Sequence, residues 1–158
     1  MSFLVYEMQY EGDAISEPSI ACAPFERKYF GEYREIYNDC FYEMRKSLDI
    51  RPYEFLSEFR QIEERGGDIF LLLTDGKITG SVTCRGNEID DVIVRKNEHN
   101  KGYGRQLLLW GICRIREKNH DPITLHVAAW NEKAVRLYER TGFRTVKTET
   151  VDIKRALR

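Results

Sequence analysis

A short glycine-containing segment at residues 99–105, which reads His-Asn-Lys-Gly-Tyr-Gly-Arg, is the part of the chain best suited to bind a ligand. Gly102 and Gly104 let the backbone approach a ligand closely and leave amide N–H groups free to point toward it. The residues that follow predict a helix, whose N-terminus carries a partial positive charge. Lys101 and Arg105 add two cations. The segment therefore predicts a site for phosphate groups.

Residue spacing distinguishes this segment from two known phosphate-binding loops. A Walker loop requires Gly-Lys-Ser/Thr at the start of the helix, and no such tripeptide occurs there. A dinucleotide fingerprint requires a third glycine at the position of Leu107. A Gly-x-Gly segment alone is also compatible with a loop that only turns the chain into a helix, so the neighbouring residues must decide.

A second pattern lies at residues 131–143, which read Asn-Glu-Lys-Ala-Val-Arg-Leu-Tyr-Glu-Arg-Thr-Gly-Phe. Together with residues 94–104 it resembles the GNAT superfamily of N-acetyltransferases, whose Gln/Arg-x-x-Gly-x-Gly/Ala loop precedes Asn-x-x-Ala-x-x-Leu-Tyr-x-x-x-Gly-Phe. The second match is complete, whereas His99 stands where the first usually has Gln or Arg. The resemblance covers residues 69 to about 146 by these motifs, and the preceding residues by topology alone.

The resemblance implies direct transfer of an acetyl group from acetyl-CoA, as co-substrate and without a metal, to a primary amine in a ternary complex. Loop amides would hold the pyrophosphate, and backbone groups of Val92 and Val94 would pair with the pantetheine arm. Asn131 would contact the pantetheine and also cap a helix. The cofactor-binding residues implied are Val92, Val94, His99, Asn100, Lys101, Gly102, Tyr103, Gly104, Arg105, Asn131 and Ala134.

Tyr138 stands at the position of the general acid in this family, from which its hydroxyl would protonate the departing CoA thiolate. A phenol with a pKa of about 10 stays protonated at neutral pH and can donate. The alternative is a tyrosine that only closes its helix against the core. The corresponding alternative function is a non-catalytic acyl-CoA-binding sensor or scaffold module.

A general base is less clearly marked. Glu88 lies where some family members place a glutamate base, and strand alternation would put Asp90 and Val92 on the same face as Glu88. A bulge in this strand would change the alternation and make Asp91 a competitor. His126 is a weaker candidate, and deprotonation through a chain of water molecules is also open.

The elements that must position these residues follow from periodicity and turn signals. Strands are predicted at residues 3–8, 69–74, 78–84, 88–94, 123–129 and from 143 onward, and helices at 25–48, 52–66, 102–118 and 131–141. We therefore expect one α/β domain of the α+β type over residues 1–158. The resemblance implies the GNAT fold, a mixed, mostly antiparallel sheet of six to seven strands flanked by about four helices.

The end of the chain is less certain than the rest. Only 15 residues follow Phe143, which is short for the two closing strands that the family usually has. A short hairpin, a single strand, or a strand supplied by a partner subunit would each satisfy this length, and a homodimer is one of the expected possibilities.

Composition limits the other function classes. The formal net charge is -1, which argues against a general nucleic-acid binder. No apolar run is long enough for a membrane helix, and the N-terminus has no signal-peptide pattern, so we expect a cytoplasmic protein. The cysteines show no Cys-x-x-Cys pair, which predicts reduced thiols and no zinc site.

The near-zero total charge conceals a division along the chain. Residues 1–94 hold 10 basic and 19 acidic side chains, which gives a net charge of -9. Residues 95–158 hold 15 basic and 7 acidic side chains, which gives a net charge of +8. The basic half contains the loop predicted to bind an anionic cofactor. The acidic half, rich in tyrosine, suits a cationic acceptor, either a small molecule or a peptide amine.

Overall fold

The computed structural model describes residues 2–12 and 16–152, and its sheet has seven strands. The strands are β1 (Ser2–Tyr10), β2 (Ala23–Pro24), β3 (Ile69–Thr74), β4 (Lys77–Arg85), β5 (Glu88–Val94), β6 (Thr124–Ala128) and β7 (Phe143–Asp152). The α-helices are α1 (Phe30–Ser47), α2 (Tyr103–Lys118) and α3 (Glu132–Thr141). Short 3-10 helices lie at Arg27–Tyr29, Phe59–Gln61, Glu63–Asp68 and Lys96–Glu98.

The strand order is β2-β3-β4-β5-β6-β1-β7, with β5 and β6 parallel and every other pair antiparallel. This confirms the expected mixed, mostly antiparallel sheet. Residues 143–152 form one strand, β7, which agrees with the single-strand alternative over the described part of the tail. Its neighbour is β1, which comes from the other end of the same chain and lies between β6 and β7.

Two apolar clusters lie on the two faces of the sheet. On one face, α2 packs Leu107, Leu108 and Ile112 against β1, β4, β5, β6 and β7. On the other, α1 packs Tyr33 and Ile36 against β3, β4 and β5. Helix α1 therefore covers only the β3–β5 side of its face.

The α-helix predicted over residues 52–66 is wrong, because two short 3-10 helices take its place after an irregular stretch. The side chain of Asn38 accepts a hydrogen bond from the Leu56 N–H (2.8 Å) and donates one to the Leu56 carbonyl (2.7 Å). Backbone groups that a helix would pair internally are thus paired with a side chain of α1. This clamp holds Leu56 in the core with 1% of its surface exposed.

A glycine lets α2 approach the sheet beside the end of β5. A Cβ atom added at Gly80 would lie 2.6 Å from the Ile93 carbonyl oxygen and 2.8 Å from Leu107 Cδ1. No real Cβ fits at these distances, so any larger residue must displace β5 or α2. Gly80 thereby fixes the height of α2 above the strand predicted to bind the cofactor.

We expect Gly80→Ala to lower the free energy of unfolding by about 1–3 kcal/mol, because overpacking forces the backbone to shift. Gly67→Ala is the matched control, since a Cβ there meets no heavy atom within 4 Å. Urea denaturation of both variants measures the difference. Equal stability of the two variants would show that α2 does not depend on this close approach.

Candidate active site

The central feature of the site is a gap between β5 and β6. The two strands pair only at Glu88 with Thr124 and at Ile89 with Leu125, and the rest of β5 has no partner on that side among the described residues. Parallel strands that part in this way leave a row of backbone N–H and C=O groups along one edge. A ligand with its own amide groups can bind there as an additional strand would.

The backbone groups of Val92 and Val94 face this gap. The Arg95 N–H donates to the Thr79 carbonyl at 2.9 Å, so Arg95 points its backbone toward β4. Because successive residues of a strand alternate in direction, Val94 and Val92 point their groups away from β4. This orientation agrees with the predicted pairing to a pantetheine arm.

One of these groups is already occupied. The carbonyl oxygen of Val94 lies 2.7 Å from His99 Nε2 and 3.2 Å from Cys40 Sγ. Two donors use both lone pairs of this oxygen. The Val94 carbonyl is therefore not free for a cofactor. The Val94 N–H and the N–H and C=O groups of Val92 remain available for one. His99, which replaces the family's usual Gln or Arg, holds the loop to the end of β5.

The glycine loop contains two residues with positive φ just before α2. Asn100 and Gly102 both lie in the left-handed region, with φ of 64° and 85°, and Gly102 is the N-cap of α2. Gly104 packs against α3, since a Cβ there would lie 3.4 Å from Leu137 Cδ2. The first amides of α2, at Tyr103 and after it, have no partner within the helix and point beyond its N-terminus.

The two cations beside the loop differ in their surroundings. Lys101 Nζ lies 2.9 Å from Glu98 Oε2, and this partner raises the pKa of the ammonium group. Arg105 is exposed on the first turn of α2. Both cations lie within a few residues of the N-terminus of α2, a combination of charges that suits a bound anion such as a pyrophosphate.

On the opposite side of the gap, α3 carries the second predicted group of residues. Asn131 caps this helix, because its side-chain oxygen accepts from the Ala134 N–H at 3.4 Å. Tyr138 packs edge-on against Phe143, with ring centroids 6.2 Å apart. Burial, and then the negative charge of Asp91, raise the pKa of Tyr138 to about 12. Its hydroxyl is thus protonated at neutral pH.

A β-bulge changes the predicted orientation of the acidic residues. Asp91 pairs with Thr83 and Ile89 pairs with Cys84, so Asp90 is an extra residue that has no partner on β4. Val92 packs into the cluster on the α2 side. The expectation that Asp90 and Val92 share a face is therefore wrong, and the bulge brings Asp91 into competition as anticipated.

Asp91 is coupled electrostatically to three tyrosines. Burial raises the pKa of Tyr33 and of Tyr37, both from α1, and of Tyr138 from α3, and the negative charge of Asp91 adds to each of these shifts. The Thr83 hydroxyl donates to Asp91 Oδ1 at 2.9 Å. Desolvation raises the pKa of Asp91 to about 6, with Asp90 adding to the shift, while Thr83 and Arg65 oppose it. The charge of Asp91 therefore acts on side chains of both α1 and α3.

The two carboxylates that the sequence favoured are each engaged elsewhere. Asp90 Oδ2 forms an ion pair with Arg65 Nη1 at 3.3 Å. Glu88 Oε1 lies 2.8 Å from His126 Nδ1, whose other ring nitrogen lies 3.3 Å from Glu7 Oε1. Asp91, by contrast, has no cation in ion-pair contact within the described residues. The geometry therefore ranks Asp91 above Glu88 and Asp90 as a proton acceptor.

Some residues of the site could not be found from the sequence. Thr83 binds Asp91, and Cys40 binds Val94, but each is brought there by strand register or by helix packing. Neither position carries a motif.

Two surface grooves lie away from this gap. One of about 560 Å³ runs along α1, lined by Asn38, Leu56 and Lys96 among others, and one of about 530 Å³ separates α3 from β1 and β7. Neither is lined by Asp91 or Tyr138. Within residues 2–12 and 16–152, no group of three His, Cys, Asp or Glu side chains could hold a metal ion, and no helix has the length and apolarity to cross a bilayer.

The raised pKa of Asp91 predicts a specific dependence of stability on pH. Between the ordinary value of 3.8 and about 6, the folded chain binds a proton that the unfolded chain has lost. The stabilisation from this group is therefore complete below the lower value and is lost as the pH rises through about 6.

Asp91→Asn abolishes this titration. We expect the free energy of unfolding of the variant, relative to that of the original chain, to increase across this pH window and to level off above it. Urea denaturation at several pH values measures the difference. A difference that does not change with pH would mean that Asp91 titrates normally in the folded protein.

Comparison with known proteins adds to this geometry. A stretch of 75 residues, 48% of the chain, is 39% identical to the mycothiol acetyltransferase of Propionibacterium freudenreichii, and it covers 22% of that protein's length. The fold matches that of a putative GNAT acetyltransferase from Novosphingobium aromaticivorans with a TM-score of 0.65 and 19% identity, over 95% of this chain and 63% of that one.

The structure of the NatC complex bound to Gag peptide and CoA contains a chain with the same fold, at a TM-score of 0.60 and 17% identity. The match covers 84% of this chain and 87% of that one. The model of the acetyltransferase (GNAT) family matches residues 30–143, which hold the gap, the glycine loop and α3. The chain therefore belongs to the GNAT acetyltransferase family.

Proposed function

We propose that the protein transfers the acetyl group of acetyl-CoA directly onto a primary amine, with Asp91 as proton acceptor and Tyr138 as proton donor. The observation that carries this proposal is the parting of β5 from β6 beside the glycine loop, within the region that the acetyltransferase family model matches. The electrostatic coupling of Asp91 with Tyr138 supports the two proton-transfer roles. Family membership supports the acetyl transfer, and acetyl-CoA supplies the activated thioester.

The glycine loop would bind the anionic part of acetyl-CoA. The amides at the start of α2, together with Lys101 and Arg105, would neutralise the pyrophosphate. The Val92 backbone and the Val94 N–H would bind the pantetheine arm in the gap. An N–H group at this edge would also stabilise the negative charge that develops on the thioester oxygen.

The amine must lose a proton before it can attack. An alkyl ammonium has a pKa of about 10.4, so only about one molecule in 2,500 is neutral at pH 7. Asp91, with a pKa of about 6, is mostly ionised at that pH yet is a stronger base than an ordinary aspartate. Asp91 passes this first proton to solvent and returns to the carboxylate form. The neutral nitrogen then bonds to the carbonyl carbon, its second proton passes to Asp91, and the C–S bond breaks as the departing sulfur takes the proton of Tyr138. Asp91 then releases its proton to solvent, and Tyr138 regains one from it.

Proton transfer to Asp91 would in turn activate Tyr138. The charge of Asp91 is one cause of the raised pKa of Tyr138, so neutralising the carboxylate makes the phenol more acidic. A phenol of pKa about 12 protonates a thiolate only at a cost, whereas it can donate a strong hydrogen bond to the sulfur as charge develops there. The coupling lowers that cost at the step where the thiolate leaves.

The acceptor half of the site favours a cationic amine. Tyr33 is buried, with 2% of its surface exposed, whereas Tyr37 is only partly buried. Tyr37 is coupled electrostatically to Asp91, and its ring could bind an ammonium group by cation–π contact. Residues 1–94 carry the net charge of -9, which would attract such an acceptor. The acceptor of the mycothiol acetyltransferases is a reasonable first member of an amine panel, alongside peptide N-termini and polyamines.

We expect Tyr138→Phe to lower kcat at least about 100-fold, because it removes the proton donor and leaves the packing of the ring unchanged. Binding of CoA should not change, because the pyrophosphate and pantetheine contacts remain. Steady-state kinetics with the amine panel and calorimetry with CoA measure the two quantities. CoA binding in the original chain without turnover of any amine would favour the non-catalytic acyl-CoA-binding module instead.

We expect Asp91→Asn to abolish the acidic limb of the kcat/KM profile, which should have an apparent pKa near 6 in the original chain. Glu88→Gln and Asp90→Asn are matched controls, because both remove a carboxylate of the same strand that is already paired. These controls should keep the limb. Loss of the limb in either control, with its retention in Asp91→Asn, would identify a different base.

A further inference from the structure

The outer edge of β7 is long and exposed. Seven consecutive residues from Arg144 to Thr150 are exposed, and β1 is the only strand of the described residues that pairs with β7. Val146 forms a bulge in this pairing and has 49% of its surface exposed. An edge strand of this kind presents unpaired N–H and C=O groups to any other strand.

The residues whose backbone groups point outward can be identified. The Ala129 N–H donates to the Leu4 carbonyl oxygen. The even-numbered residues of β1 therefore point their backbone N–H and C=O groups toward β6, and the odd-numbered residues point theirs toward β7. The partners of Val5 and Glu7 on β7 are Glu149 and Lys147, which therefore point their backbones inward. Thr148, which lies between them, points its N–H and C=O outward.

Two copies of this edge can pair only in certain registers. A two-fold axis perpendicular to the sheet pairs a residue of β7 with itself and pairs its neighbours across the axis. An axis at Lys147 or at Glu149 would place like charges directly opposite each other. An axis at Thr148 places Lys147 of each copy opposite Glu149 of the other.

This register also satisfies the backbone. Thr148 and its symmetry mate would exchange two N–H···O=C bonds, and Lys147 and Glu149 would form the adjacent non-hydrogen-bonded pairs, in which side chains approach most closely. Within one chain Lys147 Nζ already lies 2.6 Å from Glu149 Oε1, so both side chains lie on the same face. In the dimer, Lys147 would pair with Glu149 of the other copy instead of with Glu149 of its own chain.

We propose that β7 is a self-association edge, and that a second copy of this chain pairs with it antiparallel about Thr148 to make one continuous sheet. Lys147 and Glu149 set the register. The proposal is independent of the acetyl-transfer function, because neither residue belongs to the gap between β5 and β6.

Charge reversal tests this register. We expect a concentration-dependent dimer in sedimentation velocity, and we expect K147E and E149K each to weaken it roughly tenfold or more, because each creates two like-charge pairs. Mixing the two variants should restore the dimer, since both pairs are then of opposite charge. A chain that stays monomeric at all concentrations, or a dimer that neither variant weakens, would overturn the proposal.

Cross-linking provides a second test that does not depend on charge. Thr148→Cys should form a disulfide-linked dimer on mild oxidation, because this register places the residue opposite itself. Thr150→Cys is the matched control, which the register places opposite Val146 and which should not cross-link to itself. Equal cross-linking of both variants would exclude the register.

Discussion

Parallel pairing between β5 and β6 ends after Ile89 and Leu125, and the position of the whole site depends on this parting. Backbone groups that leave a sheet and lie within protein cost about 1–3 kcal/mol each if they find no partner. Part of this cost is avoided within the chain, because Cys40 and His99 form hydrogen bonds with the Val94 carbonyl. The groups that remain free can be satisfied by a ligand that enters between the strands. The gap thus selects a narrow ligand that carries amides, as the pantetheine arm does.

The bulge at Asp90 gives two adjacent aspartates different surroundings. Asp90 forms an ion pair with Arg65. Asp91 has no such partner among the described residues, and its single hydroxyl hydrogen bond does not offset the loss of water. One inserted residue is therefore enough to separate a carboxylate that forms an ion pair from one that can take part in acid–base chemistry near neutral pH.

The sequence predicts most elements between residues 69 and 142 because local signals mark them, such as the Asp75–Gly76 turn between β3 and β4. Prediction from the sequence fails where contacts between residues far apart in the chain determine the local structure. The spacing of Phe55, Phe59 and Ile62 is that of a helix, yet Asn38 captures the Leu56 backbone and prevents one. The bulge in β5 has no residue signature beyond two adjacent aspartates. Thr83 and Cys40 enter the site only through register and packing, which are not encoded at any one position.

The place of β1 between β6 and β7 has a consequence for how the chain folds. Ser2 pairs with Asp152, so β1 cannot complete its pairing until the residues of β7, which lie far along the chain, have been synthesised. At about 5–20 residues per second, this interval is roughly 7–28 seconds. During that time Met8 and Tyr10, which end in the core, have no β6 or β7 to pack against. Contacts between residues so distant in the chain slow folding, so we expect this half of the sheet to close late in the folding of the domain.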